Sequence, residues 1–128
     1  MNLEIRKATE NDIEILSNIF SILYKSELKW SKDNIKENIK QKSSEYFIIG
    51  NNESILGALS LKFNKDECKL EAIVAIDGKN GIGSQLLKFA ESLAKENRSK
   101  KIWCYSLERY SAGNFYKKHG WRQEDFIS

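Results

Sequence analysis

Gly78-Lys79-Asn80-Gly81-Ile82-Gly83-Ser84 is the stretch of this chain best suited to hold a phosphate. It follows an apolar segment and opens a run with helical periodicity. Gly81 and Gly83 carry no Cβ, so the backbone can bend sharply, approach a ligand closely and aim several N–H groups at one point. A helix starting there adds its unpaired first-turn donors and positive dipole end. Glycine spacing narrows the choice of ligand. A dinucleotide fold needs GxGxxG, and counting from Gly81 and Gly83 the third position is Leu86. A P-loop needs GxxxxGK followed by Ser or Thr, whereas Gly83 is followed by Ser84-Gln85 and no lysine stands ready for terminal phosphates. Both nucleotide classes are disfavoured.

Other reactive side chains are sparse. Cys68 and Cys104 are the only cysteines, lie in separate strand candidates and lack the spacing of a metal knuckle or redox pair, so they read as reduced structural thiols. His119 is the single histidine, which excludes a His-rich metal site and makes a Ser-His-Asp triad depend on that one ring. Its place before Gly120 suits a helix C-terminus better, and no metal is expected. The net charge is +3, with lysines scattered over solvated faces. The basic stretch from Lys32 to Lys42 is broken by Asp33 and Glu37, so nucleic acid is not the first expectation.

These groups must be positioned by one domain, residues 1–128, whose 41% apolar and 30% charged composition is that of a soluble globular fold. No apolar run approaches the roughly 20 residues of a spanning helix. The alternating segment Met1 to Arg6 lacks the apolar region of a signal peptide, so no membrane association and a cytoplasmic location are expected.

Leu3 and Ile5 predict a first strand. Thr9 with Asp12 resembles a capping box, ahead of Ile13, Leu16, Ile19, Phe20 and Leu23 at helical spacing. Ser31 caps a second helix carrying Ile35 and Ile39. Tyr46–Ile49, Gly57–Phe63 and Leu70–Ile76 predict three consecutive strands joined by turns at 50–52 and 64–66. The last is apolar on both faces apart from Glu71, hence central. A helix from Ile82 carries Leu86, Leu87, Ala90, Leu93 and Ala94 on one stripe. A strand at Ile102–Leu107, a short helix at Ser111–His119 and a strand from Trp121 complete the order. The expected fold is α/β: a mixed, mainly antiparallel twisted sheet with helices on both faces. The helix from Ile82 makes a right-handed crossover between parallel strands, which puts the glycine turn at a strand's C-terminal end.

A GxGS turn opening a helix after a buried strand resembles the acetyl-coenzyme A pyrophosphate loop of the GNAT superfamily of N-acetyltransferases, written Q/RxxGxG/A and matched here by Gly78 to Gly83. A second segment, Ala112-Gly113-Asn114-Phe115-Tyr116-Lys117-Lys118-His119-Gly120-Trp121, resembles that family's AxxFYxKxGF signature. With the N-terminal strand and paired helices, the resemblance covers nearly the whole chain. Three departures stand out. Gly78 occupies the position of the family's glutamine or arginine, and Arg109 that of its usual asparagine. The chain also stops soon after Trp121, where the family continues into a final pair of strands. Either the fold is short of its last strand, or a partner subunit of a homodimer supplies it.

The resemblance implies direct transfer of an acetyl group from acetyl-coenzyme A, as co-substrate, to an amine acceptor, either a small molecule or a peptide. Coenzyme would lie between the strand ending at Ile76 and the strand from Ile102. Backbone groups of Ile73, Val74 and Ala75 would pair with pantetheine, and Lys79, Asn80, Gly81, Ile82, Gly83 and Ser84 would receive the pyrophosphate. Ala112 and Tyr116 would complete the coenzyme site. An acceptor amine with an ordinary pKa of about 10.4 must lose a proton before attack. Glu71 is the candidate base; the alternative is a carboxylate pointing to solvent at a strand start. The resemblance assigns Tyr116 as proton donor to the departing thiolate, against a plain packing role. Phe20, Tyr24 and Trp30 lie where the family shapes its acceptor pocket; the alternative for most of them is core or helix packing. A non-catalytic domain that binds coenzyme A as a sensor or subunit is the competing expectation.

Overall fold

A computed structural model describes residues 3–24, 27–51, 53–76, 81–105 and 113–122. The elements are β1 (Glu4–Lys7), α1 (Ile13–Leu23), α2 (Lys32–Gln41), β2 (Glu45–Gly50), β3 (Ile55–Phe63), β4 (Glu67–Ala75), α3 (Ile82–Glu96), β5 (Lys101–Trp103) and α4 (Gly113–Lys118). Single 3-10 turns precede each of the first two helices, at Glu10–Asp12 and Leu28–Trp30. Strand order follows the sequence, β1-β2-β3-β4-β5. The first three pairings are antiparallel, and β4 pairs with β5 in parallel across the α3 crossover. The mixed, mainly antiparallel sheet expected from the sequence is therefore present. Of the expected strand Ile102–Leu107, Lys101–Trp103 is paired, and residues 106 and 107 lie outside the described residues. Trp121 and Arg122 have no strand conformation, and the remainder of the expected last strand lies outside the described residues.

Helices cover both faces. Leu16, Ile19 and Phe20 of α1 and Ile35 of α2 bury against Tyr46, Ile48, Ala58, Ala72 and Val74 on one side of the sheet. On the other side, Ile82, Leu86, Leu87, Ala90 and Ala94 of α3, with Tyr116 of α4, pack on Phe47, Ile49, Leu59, Leu61, Cys68 and Leu70. Gly57 lets α3 come down onto the sheet: a Cβ there would lie 2.5 Å from the Val74 carbonyl oxygen and 3.1 Å from the Ile82 side chain.

The local signals at the first helix hold in three dimensions. Thr9 and Asp12 form a reciprocal capping box. The Asp12 carboxylate also takes two 2.9 Å bonds from the Arg6 guanidinium, tying β1 to the entry of α1. That guanidinium holds the Asp12 carboxyl below its usual range, with burial opposing and the Thr9 backbone N–H assisting. Ser31 accepts a hydrogen bond from the Asn34 backbone N–H and starts α2 as expected.

One irregularity decides the geometry of the cleft. The β3–β4 register passes from Leu61↔Leu70 to Ser60↔Ala72, leaving Glu71 as an extra residue in β4. A bulge of this kind places consecutive side chains on one face. Before it, Cys68 and Leu70 face α3; after it, Ala72 and Val74 face α1 and α2. The apolar run that implied a central strand thus changes sidedness halfway along.

Candidate active site

β4 and β5 stay together only over Glu67↔Lys101, Cys68↔Ile102 and Lys69↔Trp103. From Leu70 onward β4 has no β5 ladder among the described residues, so its outer edge opens into a wedge. Ile76 N–H donates to the Leu56 carbonyl at 2.9 Å, and with the register Ala58↔Val74 this fixes which groups face outward. Antiparallel pairing alternates, so Val74 spends its backbone groups on β3 while Ile73 and Ala75 direct theirs toward the wedge. Their partly buried side chains pack against the α3 cluster.

The wedge leads toward the start of α3. Gly81 takes a left-handed conformation, φ 69°, which is strained for residues with a Cβ, and its carbonyl accepts the first helical bond from Gln85 N–H at 2.9 Å. Among the described residues no side chain caps this helix. The first-turn donors are consequently available to an anion, which fits a pyrophosphate, just as the open strand edge fits an amide-bearing chain. Ile82 contributes backbone alone, its side chain being buried in the core. A Cβ on Gly83 would touch the Phe115 ring at 3.4 Å, so this glycine also serves the approach of α4 to α3. Lys79, Asn80 and Ala112 lie outside the described residues.

Ser84 is held by a residue that the sequence suggested only as a helix terminus. His119 Nδ1 lies 2.9 Å from the Phe115 carbonyl, and Nε2 lies 2.9 Å from Ser84 Oγ. A carbonyl can only accept, so Nδ1 carries the proton; in the neutral ring Nε2 then accepts from the Ser84 hydroxyl. The imidazole thereby couples α4 to the mouth of α3.

Glu71 is not directed to solvent. Its side chain is only 6% exposed, and the bulge turns it onto the α1–α2 face of the sheet. Ser44 Oγ and Ser60 Oγ donate to Oε1 at 2.8 and 2.9 Å, and Lys29 Nζ lies 3.0 Å from Oε2. Burial by itself pushes this carboxyl up, but the Ser44 bond, the Lys29 charge and the Ser60 bond outweigh it and leave the group below its usual range. Lys29 comes from the turn between α1 and α2. Trp30 anchors that turn, with its ring 4.5 Å from Phe20 and 5.3 Å from Tyr24, its carbonyl receiving Ser17 Oγ at 2.8 Å and its indole N–H donating to Glu27. The aromatics expected to shape a pocket thus pack together and hold Lys29 in place.

Tyr116 is buried on α4, its ring packed 5.1 Å from Trp121, in the same core cluster against which Cys104, just beyond β5, packs. Burial first, then Cys104 and Tyr24, push its pKa far above the ordinary tyrosine value, so the hydroxyl stays protonated. Tyr24 belongs to the opposite helical layer. It packs with the cluster on the α1–α2 side of the sheet, whereas Tyr116 packs with the α3 cluster. Cys104 is raised by burial, and buried Cys68 is pushed up to about 11, again by burial and then by Glu45; neither environment favours a reactive thiolate.

Ser44, Ser60 and Lys29 were not singled out from the sequence, and Cys104 was read there only as a structural thiol. Only Ser60 left a trace there, as a lone hydroxyl in the otherwise apolar Leu56–Leu61 segment.

Comparison with known proteins identifies the family and the fold. The family model described as an acetyltransferase (GNAT) domain matches residues 42–123. The uncharacterized protein YxbD of Bacillus subtilis is 28% identical over 78 residues, 60% of this chain and 49% of that protein, so the match spans about half of the relative's length. In fold, the chain is similar to the PaiA N-acetyltransferase of Thermoplasma acidophilum in complex with coenzyme A, with TM-score 0.84 and 22% identity over 99% of this chain and 94% of that one. It is also similar to the aminoglycoside acetyltransferase meta-AAC0020 from an uncultured soil metagenomic sample, in complex with sisomicin, with TM-score 0.78 and 16% identity over 98% and 92%.

Proposed function

The chain belongs to the GNAT acetyltransferase family, and from that premise we propose that residues 1–128 form one domain that transfers the acetyl group of acetyl-coenzyme A directly to a primary amine. The observation that carries this reading is the wedge itself: an open β4 edge leading to an uncapped glycine-started helix, with a buried carboxylate and a buried phenol on either side of it. Acetyl-coenzyme A supplies the activated acyl thioester. Ile73 and Ala75 offer backbone groups to its amide-bearing arm, and the N–H groups of Gly81, Ile82, Gly83 and Ser84, with Lys79 and Asn80 before them, receive its phosphates.

Glu71 takes up the amine proton, directly or through a water. Its lowered pKa keeps it ionised through the neutral range, at the cost of making it a weak base. Tyr116 holds a proton at Oη for the departing sulfur. Because the burial that keeps it protonated also makes its full ionisation costly, its contribution is hydrogen-bond donation more than complete proton transfer. Much of the acceleration then rests on positioning amine and thioester. No helix among the described residues is long and apolar enough to cross a membrane, in keeping with a cytoplasmic location as part of the proposal.

The test is an acetyl-coenzyme A consumption assay across an amine panel, with release of free coenzyme as the readout and coenzyme binding measured in parallel. Turnover of at least one amine is expected. Binding without turnover of any amine would replace this reading by a coenzyme-sensing domain, and absence of binding would overturn both.

A further inference from the structure

Beside Glu71, on the same face of the sheet, two hydrogen-bond donors have no acceptor among the described residues. Lys69 Nζ sits 5.4 Å from the centre of the Trp103 ring and 5.1 Å from that of Tyr105. Among the described residues it forms no ion pair, since the nearby Glu71 carboxylate is occupied by Lys29. The indole N–H of Trp103 is buried and donates to nothing. Leaving such a donor unpaired forfeits the hydrogen bond that water would have given it. Lys62 aggravates the imbalance, being paired directly opposite Lys69 across β3 and β4. Like charges in that position destabilise a sheet unless something between them is negative. Lys29 pairs with the Glu71 carboxylate, while Lys62 and Lys69 face each other across β3 and β4 at the last residue of the β4–β5 ladder, where the wedge begins.

We propose that the acceptor is a primary amine carrying a carboxylate a few bonds from its nitrogen, with Lys69 Nζ and the Trp103 indole N–H binding that carboxylate while the amine faces Glu71. The inference rests on the acetyl-transfer reading above. Lys69 and Glu71 are two residues apart in β4, roughly 6–7 Å along an extended strand, a span suited to the two ends of a small amino acid. An oxyanion would satisfy the orphaned indole N–H and offset the Lys62–Lys69 repulsion together. Polycationic acceptors, by contrast, would meet three ammonium groups on entry.

The test compares leucine, leucinamide, isopentylamine, spermidine and an aminoalkylphosphonate as acceptors, alongside tryptophan-fluorescence titration of the coenzyme A-saturated protein with leucine and with leucinamide. Leucine is expected to exceed leucinamide and isopentylamine at least tenfold in kcat/KM, with spermidine poorest, and to bind more tightly than leucinamide. Lys69→Met should abolish that preference through KM, Lys69→Arg should restore part of it, and Trp103→Phe, which keeps the ring and removes the N–H, should reduce it several-fold. If Lys69→Met does not fold, Trp103→Phe decides. Equal use of leucine and leucinamide, or a preference for the phosphonate, overturns the inference while leaving acetyl transfer intact. Selective leucine binding, lost in Lys69→Met, with no turnover of any amine supports the carboxylate site at Lys69 and Trp103 and sinks the acetyl-transfer reading, and with it leucine's role as acceptor.

Discussion

The two ends of the wedge are built from different materials. At the end proposed for the coenzyme the groups on offer are main-chain: outward-facing amides of Ile73 and Ala75 and the first turn of α3. At the end proposed for the acceptor they are side chains drawn from separate elements: Glu71 from the β4 bulge, Ser44 from the approach to β2, Ser60 from β3, Lys29 from the turn before α2, and Trp103 from β5. A main-chain site spreads its interactions over many weak donors and tolerates exchange of any one side chain. A side-chain site concentrates them, and single substitutions there should be felt.

That contrast orders the expected effects. Tyr116→Phe removes the proton held for the departing sulfur and should lower kcat by about 10²–10³-fold with coenzyme affinity unchanged; full turnover at every pH would return Tyr116 to a packing role. Glu71→Gln should lower kcat/KM by about 10²-fold at neutral pH, again without weakening coenzyme binding. An equal loss of coenzyme affinity would show that the two ends are not separable.

Ser60→Ala should be milder in rate but visible in stability, because one hydrogen bond to a buried charge is worth about 1.5–3 kcal/mol. Its pH dependence has a definite sign. The folded-state pKa of Glu71 lies below the 4.5 of an ordinary glutamate, so its contribution is present above pH 4.5 and disappears as the pH falls through the folded value. Loss of Ser60 narrows that gap, so the variant should be less stable than the parent at pH 7 and should lose less on acidification, as measured by urea unfolding from pH 7 to 3. Asp12, depressed mainly by Arg6, adds a decline of the same sign in both proteins.

Gly81→Ala is expected to have the smallest effect. A Cβ there meets no atom within 4 Å, so the penalty is the left-handed backbone alone, about 1–2 kcal/mol. Isothermal titration should show coenzyme A binding weakened by at most roughly tenfold, with acceptor KM unchanged. A larger loss would mean that this end, too, depends on a single residue.

Where local chemistry decides a feature, the sequence was enough to read it. The Thr9–Asp12 box, the Ser31 cap, the α3 stripe from Leu86 to Ala94 and the glycine turn with its GxGS spacing each rest on residues a few positions apart, which periodicity and capping rules register directly. The pairing of that turn with the Ala112–Trp121 signature carried the family as well. Glu71 could be named from its isolation in an apolar run, but not its surroundings. No periodicity announces a one-residue bulge, and the run Leu70–Ile76 is apolar enough to bury either set of its side chains.

By itself, then, the sequence determined the elements up to β5, the mixed sheet and the family, though not the strand expected from Trp121, because these follow from short-range pattern and backbone chemistry. Tertiary structure alone decided that β4 reverses its faces at Glu71, that Ser44, Ser60 and Lys29 converge on its carboxylate, and that His119 holds Ser84 from 35 residues away. Each of those outcomes depends on strand register and on how helices seat across a sheet. Such distances are set by packing the whole core and are encoded in no single stretch of chain.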